Sequence, residues 1–586
     1  MFRCIRRFVT LTYQLPATLT QQNTMIDKIE LKSGSSTGQK NLNIDITPIT
    51  VFVGPNNSGK SRILIEIENA IRNGQEQTGD LILNKITYTS LIENEIEEEI
   101  NKIEEYPTLN DNIQKGNKII GKLNPQDNQA KRFEINPQDL IRESLNPNSQ
   151  RNWTFPKFLS LYTIRLDGSN RLNLLREQSA GDLQLTPTNH LAHLFLNNSL
   201  RSEVRRIIYD AFEKYYVIDP TKSGYLRVRL SDTAPKTEQQ ERGWDQDAID
   251  FHKKGLLIEN TSDGVKAFTG IITTILAGDP KISLIDEPEA FLHPALSNKL
   301  GKEIGQSLRN TNKRLIAATH SSSFLMGCIQ SGSPLNIVRL TYKNGVATSR
   351  ILEKEKILYL MRHPLLRSTG VLNGLFYEAV IVTEADSDRA FYQEINERLI
   401  TKNDRRGISN CLFLNAQNKQ TVWDIVKPLR ELGIPAVGIV DIDVFKEGGQ
   451  VFTKLLEGAY LPSLNHKSFH NQRKEIYDKL NETEKRWKIE GGIEVLEGEN
   501  KEACENFLNQ LDEYGVFIVR NGELESWLKH MKIAGHGSKW LIDIFSKMGE
   551  NPDSKDYLQP AGNDVWEFIG KIKEWIELPT RKGIPK

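Results

Sequence analysis

The sequence has few cysteines, no excess of either charge and no long apolar run. Its four cysteines, at positions 4, 328, 411 and 504, form no close pair, which argues against a disulfide framework or a zinc ribbon. Lysine plus arginine and aspartate plus glutamate both number 76, so a polyanionic partner has to be met by local basic patches. Without the roughly 18 apolar residues of a membrane span, we expect a cytoplasmic protein with no membrane partner.

The N-terminal stretch is predicted to be an extension outside the folded core. Arg3, Arg6 and Arg7 are typical of a signal peptide, but "FVTLTY" is too short and too polar for its apolar region. Met25 opens a clearer start, "MIDKIELK", so residues 1–24 are taken as the extension. At roughly 150 residues per domain, a chain of 586 residues allows about two to four domains.

Two α/β domains are predicted, over 25–370 and 371–586. The first begins with strand, strand, glycine-rich loop, helix and strand, and the second begins near "LFYEAVIVTEADSDRAFYQEI". Residues 91–150 form a polar, helical insertion, in which isoleucines recur on one helical face among acidic residues. That helix is either an inserted element with a solvated acidic face or a dimer contact.

The stretch "FVGPNNSGKS" contains a phosphate-binding loop. Gly54 to Ser61 matches G-x-x-x-x-G-K-[ST], in which backbone amides surround phosphates, the lysine reaches the terminal phosphates and the serine binds magnesium. A strand before the loop and a helix after it are the context that this motif requires. The predicted nucleotide-binding residues of the loop are Gly54, Asn56, Asn57, Ser58, Gly59, Lys60 and Ser61.

Two later strands supply the remaining parts of a nucleotide site. "KISLIDEPEAFLHP" is an apolar strand that ends in Asp286, which can hold Mg²⁺, and Glu287, which can polarise the attacking water. "RLIAATHSSSFL" ends in His320, which is able to contact a terminal phosphate. A histidine at a strand end is usually structural, so His320 counts only together with the other motifs.

These motifs, in this order and spacing, resemble the ATPase core of the ABC superfamily, in the branch that includes SMC proteins. The resemblance implies a signature loop, and "NTSDGVKAFTGIITTIL" stands at its position with Ser262 and Gly264 at the start of a helix. Asp263 departs from the usual serine-glycine-glycine pattern. In such ATPases the signature loop of one subunit completes the ATP site of the other, which implies a homodimer.

A second group of acidic residues lies at strand ends of the downstream domain. Glu384 ends an apolar strand and Asp388 follows one helical turn later, while Asp441 and Asp443 follow the strand in "AVGIVDIDVF". Carboxylates at adjacent strand ends bind hard cations, and two such ions can activate a water for cleavage of a phosphodiester. A single D-x-D is more often a solvated turn, but the Glu384 strand favours a metal site at these four carboxylates.

This arrangement resembles the Toprim domain, and an ABC-type ATPase followed by a Toprim domain resembles the OLD family. That family includes the larger protein of Gabija systems and certain retron effectors. The resemblance implies that Glu525, in "YGVFIVRNGELESWL", is a further metal ligand, with Glu523 as a close competitor. It also implies that Lys539 stabilises charge on the scissile phosphate.

Two segments depart from the Toprim pattern. The loop after "CLFLN" reads "AQNKQ" where glycine is common in Toprim domains. Residues 446–512 are predicted to be an insertion, rich in lysine, glutamate and asparagine. This insertion is either a solvated helical lid, which we prefer slightly, or a partner or substrate contact through "NHKSFHNQRK" and "KRWK".

The predicted function is an ATP-dependent, metal-dependent DNA endonuclease that acts in defence against phage. Its expected cofactors are ATP and Mg²⁺, with Mn²⁺ as an alternative at the nuclease site. Its expected partners are DNA, a second copy of the chain, and an accessory protein or a retron RNA–DNA. The alternative function is that of an SMC-type structural ATPase, which clamps DNA without cutting it.

Overall fold

A computed structural model describes residues 25–585, apart from residues 37, 108–110, 125–128, 150–151, 185–186, 188, 344 and 369. The predicted extension, residues 1–24, lies outside the described residues. Strands and helices alternate along most of the chain, so the α/β organisation predicted from the sequence is confirmed.

The elements up to residue 370 fall into strands and helices as follows. The strands are β1 (Ile26–Leu31), β2 (Leu42–Asp45), β3 (Ile49–Val53), β4 (Leu83–Tyr88), β5 (Glu104–Glu105), β6 (Lys118–Asn124), β7 (Gln129–Ile135), β8 (Thr163–Leu166), β9 (Gln178–Ser179), β10 (Tyr215–Lys222), β11 (Tyr225–Ser231), β12 (Leu256–Leu257), β13 (Ile282–Asp286), β14 (Arg314–Ala318), β15 (Leu335–Lys343) and β16 (Val346–Leu352). The helices are α1 (Lys60–Asn73), α2 (Glu93–Ile103), α3 (Pro137–Leu145), α4 (Thr154–Leu161), α5 (His190–Leu196), α6 (Asn198–Phe212), α7 (Glu238–Arg242), α8 (Gln246–Lys254), α9 (Asp263–Ala277), α10 (Pro294–Ser307), α11 (Ser322–Gln330), α12 (Lys354–Arg362) and α13 (Pro364–Ser368).

The elements after residue 370 form a smaller set. The strands are β17 (Ala379–Thr383), β18 (Cys411–Asn415), β19 (Ala436–Val440) and β20 (Val516–Ile518). The helices are α14 (Asp386–Thr401), α15 (Val422–Glu431), α16 (Gly449–Gly458), α17 (His466–Glu482), α18 (Gly498–Asp512), α19 (Gly537–Met548) and α20 (Val565–Glu577).

The central sheet of the first domain has the strand order β16-β15-β3-β14-β13-β8. β3 pairs in parallel with both β14 and β15, so the strand that precedes the phosphate loop lies in the middle of the sheet. Its side chains alternate between two apolar clusters: Val51 and Val53 pack on one face of the sheet and Phe52 packs on the other. Helices cover both faces, as is usual for a largely parallel sheet.

Smaller antiparallel sheets surround this central sheet. β2-β1-β4 form one of them, and β10-β11-β12 with β9 form another. In the insertion at 91–150, α2 and α3 flank a three-stranded sheet, β5-β6-β7, which the helical periodicity of the sequence did not predict. Ile96 and Ile100 of α2 are buried in the apolar cluster of β1 and β4, so this helix packs on its own domain.

The second domain is built on a parallel sheet with the strand order β18-β17-β19-β20. β17 lies between β18 and β19, so the residues that follow β17 and β19 meet at one edge of the sheet. The helices of the 446–512 segment do not form a separate lid, because Phe452, Phe469 and Phe507 are buried in the same apolar cluster as β19 and β20.

A buried arginine joins the two domains. Arg339, in β15, donates to the carbonyl oxygens of Tyr377 (2.8 Å) and Leu375 (3.4 Å), and approaches that of Gly433 in the second domain (3.5 Å). Its side chain is almost inaccessible to water, and burial lowers the pKa of its guanidinium to about 10. Since β15 is next to β3, this contact connects the strand that carries the phosphate loop to the second domain.

Among the described residues, no helix has both the length and the apolarity to cross a lipid bilayer.

We expect the substitution Arg339→Met to lower the free energy of unfolding by about 2 kcal/mol, because buried carbonyl groups lose a charged donor. The measurement is urea unfolding followed by circular dichroism. The control is Arg72→Met, which removes an exposed arginine from the last turn of α1 and should change the midpoint little. Equal midpoints for the two variants would contradict a stabilising role for Arg339.

Candidate functional site

The predicted phosphate loop turns tightly between β3 and α1. Gly54, Asn57 and Gly59 have positive φ angles of 147°, 60° and 95°. Such a backbone can direct successive N–H groups towards an anion. Lys60 Nζ donates to the carbonyl oxygen of Gly54 at 2.9 Å, and burial lowers the pKa of Lys60 to about 8. The loop thus combines a buried cation with a tight turn of the backbone, which fits a bound phosphate chain.

The other loop residues differ in exposure. Asn56 and Asn57 are exposed, whereas Ser58 is buried with its Oγ 3.4 Å from Lys60 Nζ. A Cβ atom on Gly54 would lie 2.1 Å from the carbonyl oxygen of Leu340 in β15. Only glycine therefore fits where the loop passes the neighbouring strand.

The residues predicted to hold magnesium meet across the sheet. Ser61 Oγ donates to Asp286 Oδ1 at 3.0 Å, although 225 residues separate them in the chain. Burial raises the pKa of Asp286. A serine hydroxyl and an aspartate next to the phosphate loop are the donor set of a nucleotide-bound Mg²⁺, so the residues present fit this ion.

Arg171 holds the backbone of the acidic strand end and was not identified from the sequence. It is fully buried and donates to the carbonyl oxygens of Asp286 and Glu287, the latter at 2.6 Å. An arginine in a short 3-10 helix (Asn170–Asn173) has no sequence signal that would distinguish it from a surface residue. Its contacts fix the backbone of Asp286 and Glu287 at the end of β13.

Glu287 and His320 lie beside each other at adjacent strand ends. His320 Nε2 is 3.9 Å from Glu287 Oε1, and half of the Glu287 side chain is exposed. Glu287 has a φ angle of 48°, a strained conformation that often marks functional residues. Glu289, by contrast, is a structural acid, since it accepts hydrogen bonds from Thr319 Oγ1 and the N–H of His320, both at 2.8 Å.

The predicted signature residues lie at the start of α9. Ser262 is the N-cap position, but its side chain makes no capping hydrogen bond. A Cβ atom on Gly264 would lie 2.7 Å from the carbonyl oxygen of Phe291, so the helix start packs tightly on the loop after β13. Within the described part of the chain, no hydrogen bond links Ser262 or Gly264 to the phosphate loop, and these residues are not brought into that site.

In the second domain, the predicted acidic residues converge. Glu384 Oε1 accepts a hydrogen bond from the N–H of Asp441 at 2.9 Å, which ties the ends of β17 and β19 together. Asp388 Oδ2 accepts from the N–H of Ala385 at 3.0 Å, in the first turn of α14. Among the described residues, neither Glu384 nor Asp388 forms an ion pair.

Burial and mutual repulsion raise the pKa values of these acids. The pKa of Glu384 is raised to about 8, that of Asp388 to about 7 and that of Asp441 to about 6, in each case first by burial and, for Glu384 and Asp388, next by the charge of Asp441. Such a group is unstable when fully ionised unless a cation is present. The carboxylates therefore fit a bound divalent metal ion.

Two lysines neutralise Asp443, and neither was identified from the sequence as a site residue. Lys488 Nζ is 3.1 Å from Asp443 Oδ2 and 3.0 Å from Asp441 Oδ2. Lys419 Nζ is 3.2 Å from Asp443 Oδ1 and 3.1 Å from a carboxylate oxygen of Glu447. The pKa of Asp443 is lowered, since these ammonium groups outweigh its burial.

The backbone around Lys488 is fixed against the site. A Cβ atom on Gly522 would lie 2.0 Å from the carbonyl oxygen of Lys488. The N–H of Ile493 donates to the carbonyl oxygen of Arg520, and the N–H of Ile442 donates to that of Gly522. The 446–512 segment thus contributes a lysine to the acidic site through a defined loop, rather than through an open lid.

The late acidic motif approaches the same site. Glu525 Oε1 accepts from the N–H of Gly537 at 2.7 Å and lies 3.2 Å from His536 Nδ1. Glu523 Oε2 is 3.9 Å from Lys488 Nζ, the ammonium that also pairs with both aspartates of the D-x-D motif. The charge of Glu525 adds to the effect of burial in raising the pKa of Asp441, so it also lies near this motif. Lys539, in the first turn of α19, is exposed and forms no ion pair within the described part of the chain.

Two family models match the chain. Residues 49–326 match "AAA domain, putative AbiEii toxin, Type IV TA system", and residues 375–443 match "Overcoming lysogenization defect protein-like, TOPRIM domain". The chain therefore carries an AAA-type ATPase domain followed by an OLD-like TOPRIM domain. The predicted resemblance to the OLD family is confirmed for these two domains.

Two curated relatives are similar to parts of the chain. Endonuclease GajA of Bacillus cereus (strain HuB5-5) is 23% identical over 348 residues, which cover 51% of this chain and 47% of that protein. Old nuclease of Escherichia phage P2 is 26% identical over 168 residues, which cover 27% of each. The chain is thus homologous to both proteins and matches about half of the first and about a quarter of the second.

Solved structures of SMC heads superpose loosely on the chain. The SMC head bound to the C-winged helix domain of ScpA covers 57% of this chain and 99% of its own, with a TM-score of 0.32 and 15% identity. The SMC head domain from Thermotoga maritima covers 56% and 99%, with a TM-score of 0.27 and 12% identity. The fold assignment rests on the strand order of this chain and on the matched domains.

The raised pKa values predict how stability depends on pH in the absence of metal. Because Glu384, Asp388 and Asp441 hold protons in the folded state that they lose near pH 4 when unfolded, the free energy of unfolding should fall as pH rises from about 4 to about 8. Thermal unfolding in EDTA between pH 5.5 and pH 8.5 measures this slope.

Glu384→Gln should flatten that dependence and raise the melting temperature at the upper end of the range. Glu397→Gln, on the exposed face of α14, is the matched control and should retain the slope of the unmodified protein. A slope unaffected by Glu384→Gln would show that the acidic cluster does not set the pH dependence.

Proposed function

We propose that this chain is an ATP-hydrolysing, metal-dependent DNA endonuclease of the OLD type. The observation that carries the proposal is the convergence of two separate donor sets: Ser61 meets Asp286 in the ATPase domain, and Glu384 meets Asp441 in the TOPRIM domain. The homology to two nucleases supports the same activity. A phosphodiester backbone is the substrate that such a carboxylate site is suited to cleave.

In the ATPase domain, separate residues would bind the phosphates, hold the metal ion and activate water. The N–H groups from Gly54 to Ser61 would hold the phosphates of ATP, while Ser61 and Asp286 would hold Mg²⁺. Glu287, half exposed, would accept a proton from the attacking water. His320, whose Nε2 is 3.9 Å from Glu287 Oε1, would contact the terminal phosphate. Ser262 and Gly264 would serve the site of a second copy, which makes the functional unit a homodimer.

In the TOPRIM domain, carboxylates would hold divalent ions beside the substrate. The proposed ligands are Glu384, Asp388, Asp441, Asp443 and Glu525. Bound Mg²⁺ or Mn²⁺ supplies an activated water and stabilises the leaving oxygen. Lys419 and Lys488 pair with Asp443 and would hold its carboxylate in position beside the ions. Lys539 is exposed on α19 and would be available to a phosphate of the DNA.

Arg339 supports a connection between the two activities. It links β15, the strand beside β3, to Gly433 in the TOPRIM domain. The pKa of Lys60 is lowered mainly by burial, and the charge of Arg339 adds a smaller effect in the same direction. A movement of the phosphate loop on nucleotide binding would thus displace β15 and change the contacts of Arg339 with the TOPRIM domain.

The biological setting proposed for this enzyme is the cytoplasm, in defence against phage. The support is the resemblance of its two domains to those of the OLD family. An accessory protein or a retron RNA–DNA is a further partner in this proposal, and co-purification of a nucleic acid or protein with the full chain would test it.

The proposal predicts cleavage of supercoiled plasmid by the full-length protein with Mg²⁺ or Mn²⁺. Asp441→Ala should abolish nicking and linearisation, because the strand-end cluster loses its central carboxylate. Asp478→Ala, on the exposed side of α17, should cleave normally. Parallel reactions with and without ATP give the sign of the coupling. Retention of DNA in the presence of ATP without strand breaks would contradict the nuclease and favour a DNA clamp.

Lys488 is predicted to position Asp441 and Asp443 for this reaction. Lys488→Ala should lower the rate of cleavage by about 10-fold to 100-fold, as does the loss of other groups that orient metal ligands. Lys488→Arg should restore most of the rate, since it keeps the charge. Lys479→Ala, an exposed lysine of α17, is the control. Equal rates for Lys488→Ala and the control would exclude this role.

A further inference from the structure

The charges in the acidic site are unevenly balanced. Six carboxylates lie there: Glu384, Asp388, Asp441, Asp443, Glu523 and Glu525. Lys488 pairs with Asp441 and Asp443, and Lys419 pairs with Asp443, so both lysines lie next to the D-x-D motif. The glutamates of the late motif lie beyond Lys488, and Glu523 Oε2 is 3.9 Å from its ammonium.

A third metal-ligating side chain stands next to these glutamates. His536 Nδ1 is 3.2 Å from Glu525 Oε1, and His536 Nε2 is 3.9 Å from Glu523 Oε1. One ligand atom from each of Glu523, Glu525 and His536 lies within 4.8 Å of the other two. Donor atoms at such separations can share one ion with bonds of about 2 Å.

The environment of the Glu523 carboxylate indicates a bound cation. Its side chain is only 8% exposed, yet among the described residues no group donates a hydrogen bond to its carboxylate. A buried carboxylate without a donor is costly unless a cation approaches it. The ammonium of Lys488 and the imidazole of His536, both at 3.9 Å, are too distant to serve as hydrogen-bond donors.

The local backbone brings His536 to this position. Gly535 and Gly537 have positive φ angles of 111° and 61°, so the chain turns on both sides of the histidine. The N–H of Gly537 fixes Glu525 Oε1 at 2.7 Å. The His536 side chain is 63% exposed and can be reached from solvent, whereas the two glutamates are held by the fold.

We infer that Glu523, Glu525 and His536 form a transition-metal position of the nuclease site, which takes Mn²⁺ in preference to Mg²⁺. An imidazole nitrogen can bind first-row transition ions, Mn²⁺ among them, whereas Mg²⁺ prefers oxygen ligands and keeps several waters. The inference rests on the proposed function, since it assigns the metal selectivity of that site. It also gives Glu523, rather than Glu525 alone, a ligand role in the late acidic motif.

The test measures Mn²⁺ binding to the nucleotide-free, full-length protein, with the concentration of free Mn²⁺ determined by electron paramagnetic resonance. His536→Ala should weaken one site per chain by at least about tenfold, while His530→Ala, an exposed histidine six positions earlier, should bind as the unmodified protein does. Mg²⁺ titrations by calorimetry should be the same for both variants. Unchanged Mn²⁺ binding in His536→Ala would overturn the inference, as would an equal loss of Mg²⁺ binding.

A spectroscopic readout tests the ligand directly. Electron spin echo spectra of bound Mn²⁺ should contain a coupling to the ¹⁴N of imidazole, lost in His536→Ala and kept in His530→Ala. Absence of this coupling in a protein that cleaves DNA would reject the histidine ligand and leave the nuclease standing. Presence of the coupling in a protein that never cleaves DNA would reject the nuclease and leave the metal position standing.

Discussion

The burial of carboxylates at the ends of parallel strands, together with their mutual repulsion, is the constraint around which the TOPRIM domain is organised. Glu384 and Asp441 are forced together because β17 and β19 are neighbours in one sheet. The fold compensates in two ways: a backbone N–H binds Glu384, and the ammonium of Lys488 binds Asp441. The compensation is incomplete, as the raised pKa values of the buried acids indicate. The negative charge that remains on these carboxylates favours the binding of a divalent cation.

In the ATPase domain, two buried arginines hold strand ends in place by binding backbone carbonyl oxygens. Arg171 binds the carbonyl oxygens of Asp286 and Glu287, and Arg339 binds those of Leu375 and Tyr377 at the start of the second domain. Both guanidinium groups are buried, and neither forms an ion pair with the carboxylates nearby among the described residues. The carboxylates of Asp286 and Glu287 thus remain available to a ligand, while the positive charges fix the strand ends that carry them.

The sequence was sufficient for those parts of the fold and site that are local in the chain. A strand followed by a glycine-rich loop predicts the position of Lys60, and apolar strands that end in acids predict Asp286, Glu384 and Asp441. Lys488 lies in "KRWK", for which a substrate or partner contact was one of two alternatives, but its pairing with Asp443 across 45 residues could not be predicted. Arg171 was missed because 115 residues separate it from Asp286. His536 was missed because a single histidine in a loop resembles any surface histidine. The β5-β6-β7 sheet was missed because the isoleucine periodicity of α2 dominated the pattern of its surroundings.

The apolar interior has a consequence for how the molecule unfolds. One continuous cluster of buried side chains runs from Val51 and Val53, through Leu375 and Phe376 at the domain junction, to Phe507 and Ile518 in the TOPRIM domain. Domains that share a core in this way lose their packing together, since neither can open without exposing apolar surface of the other. The ATPase and TOPRIM domains therefore form a single cooperative unit. A break in the chain between them would leave two fragments that are prone to aggregate.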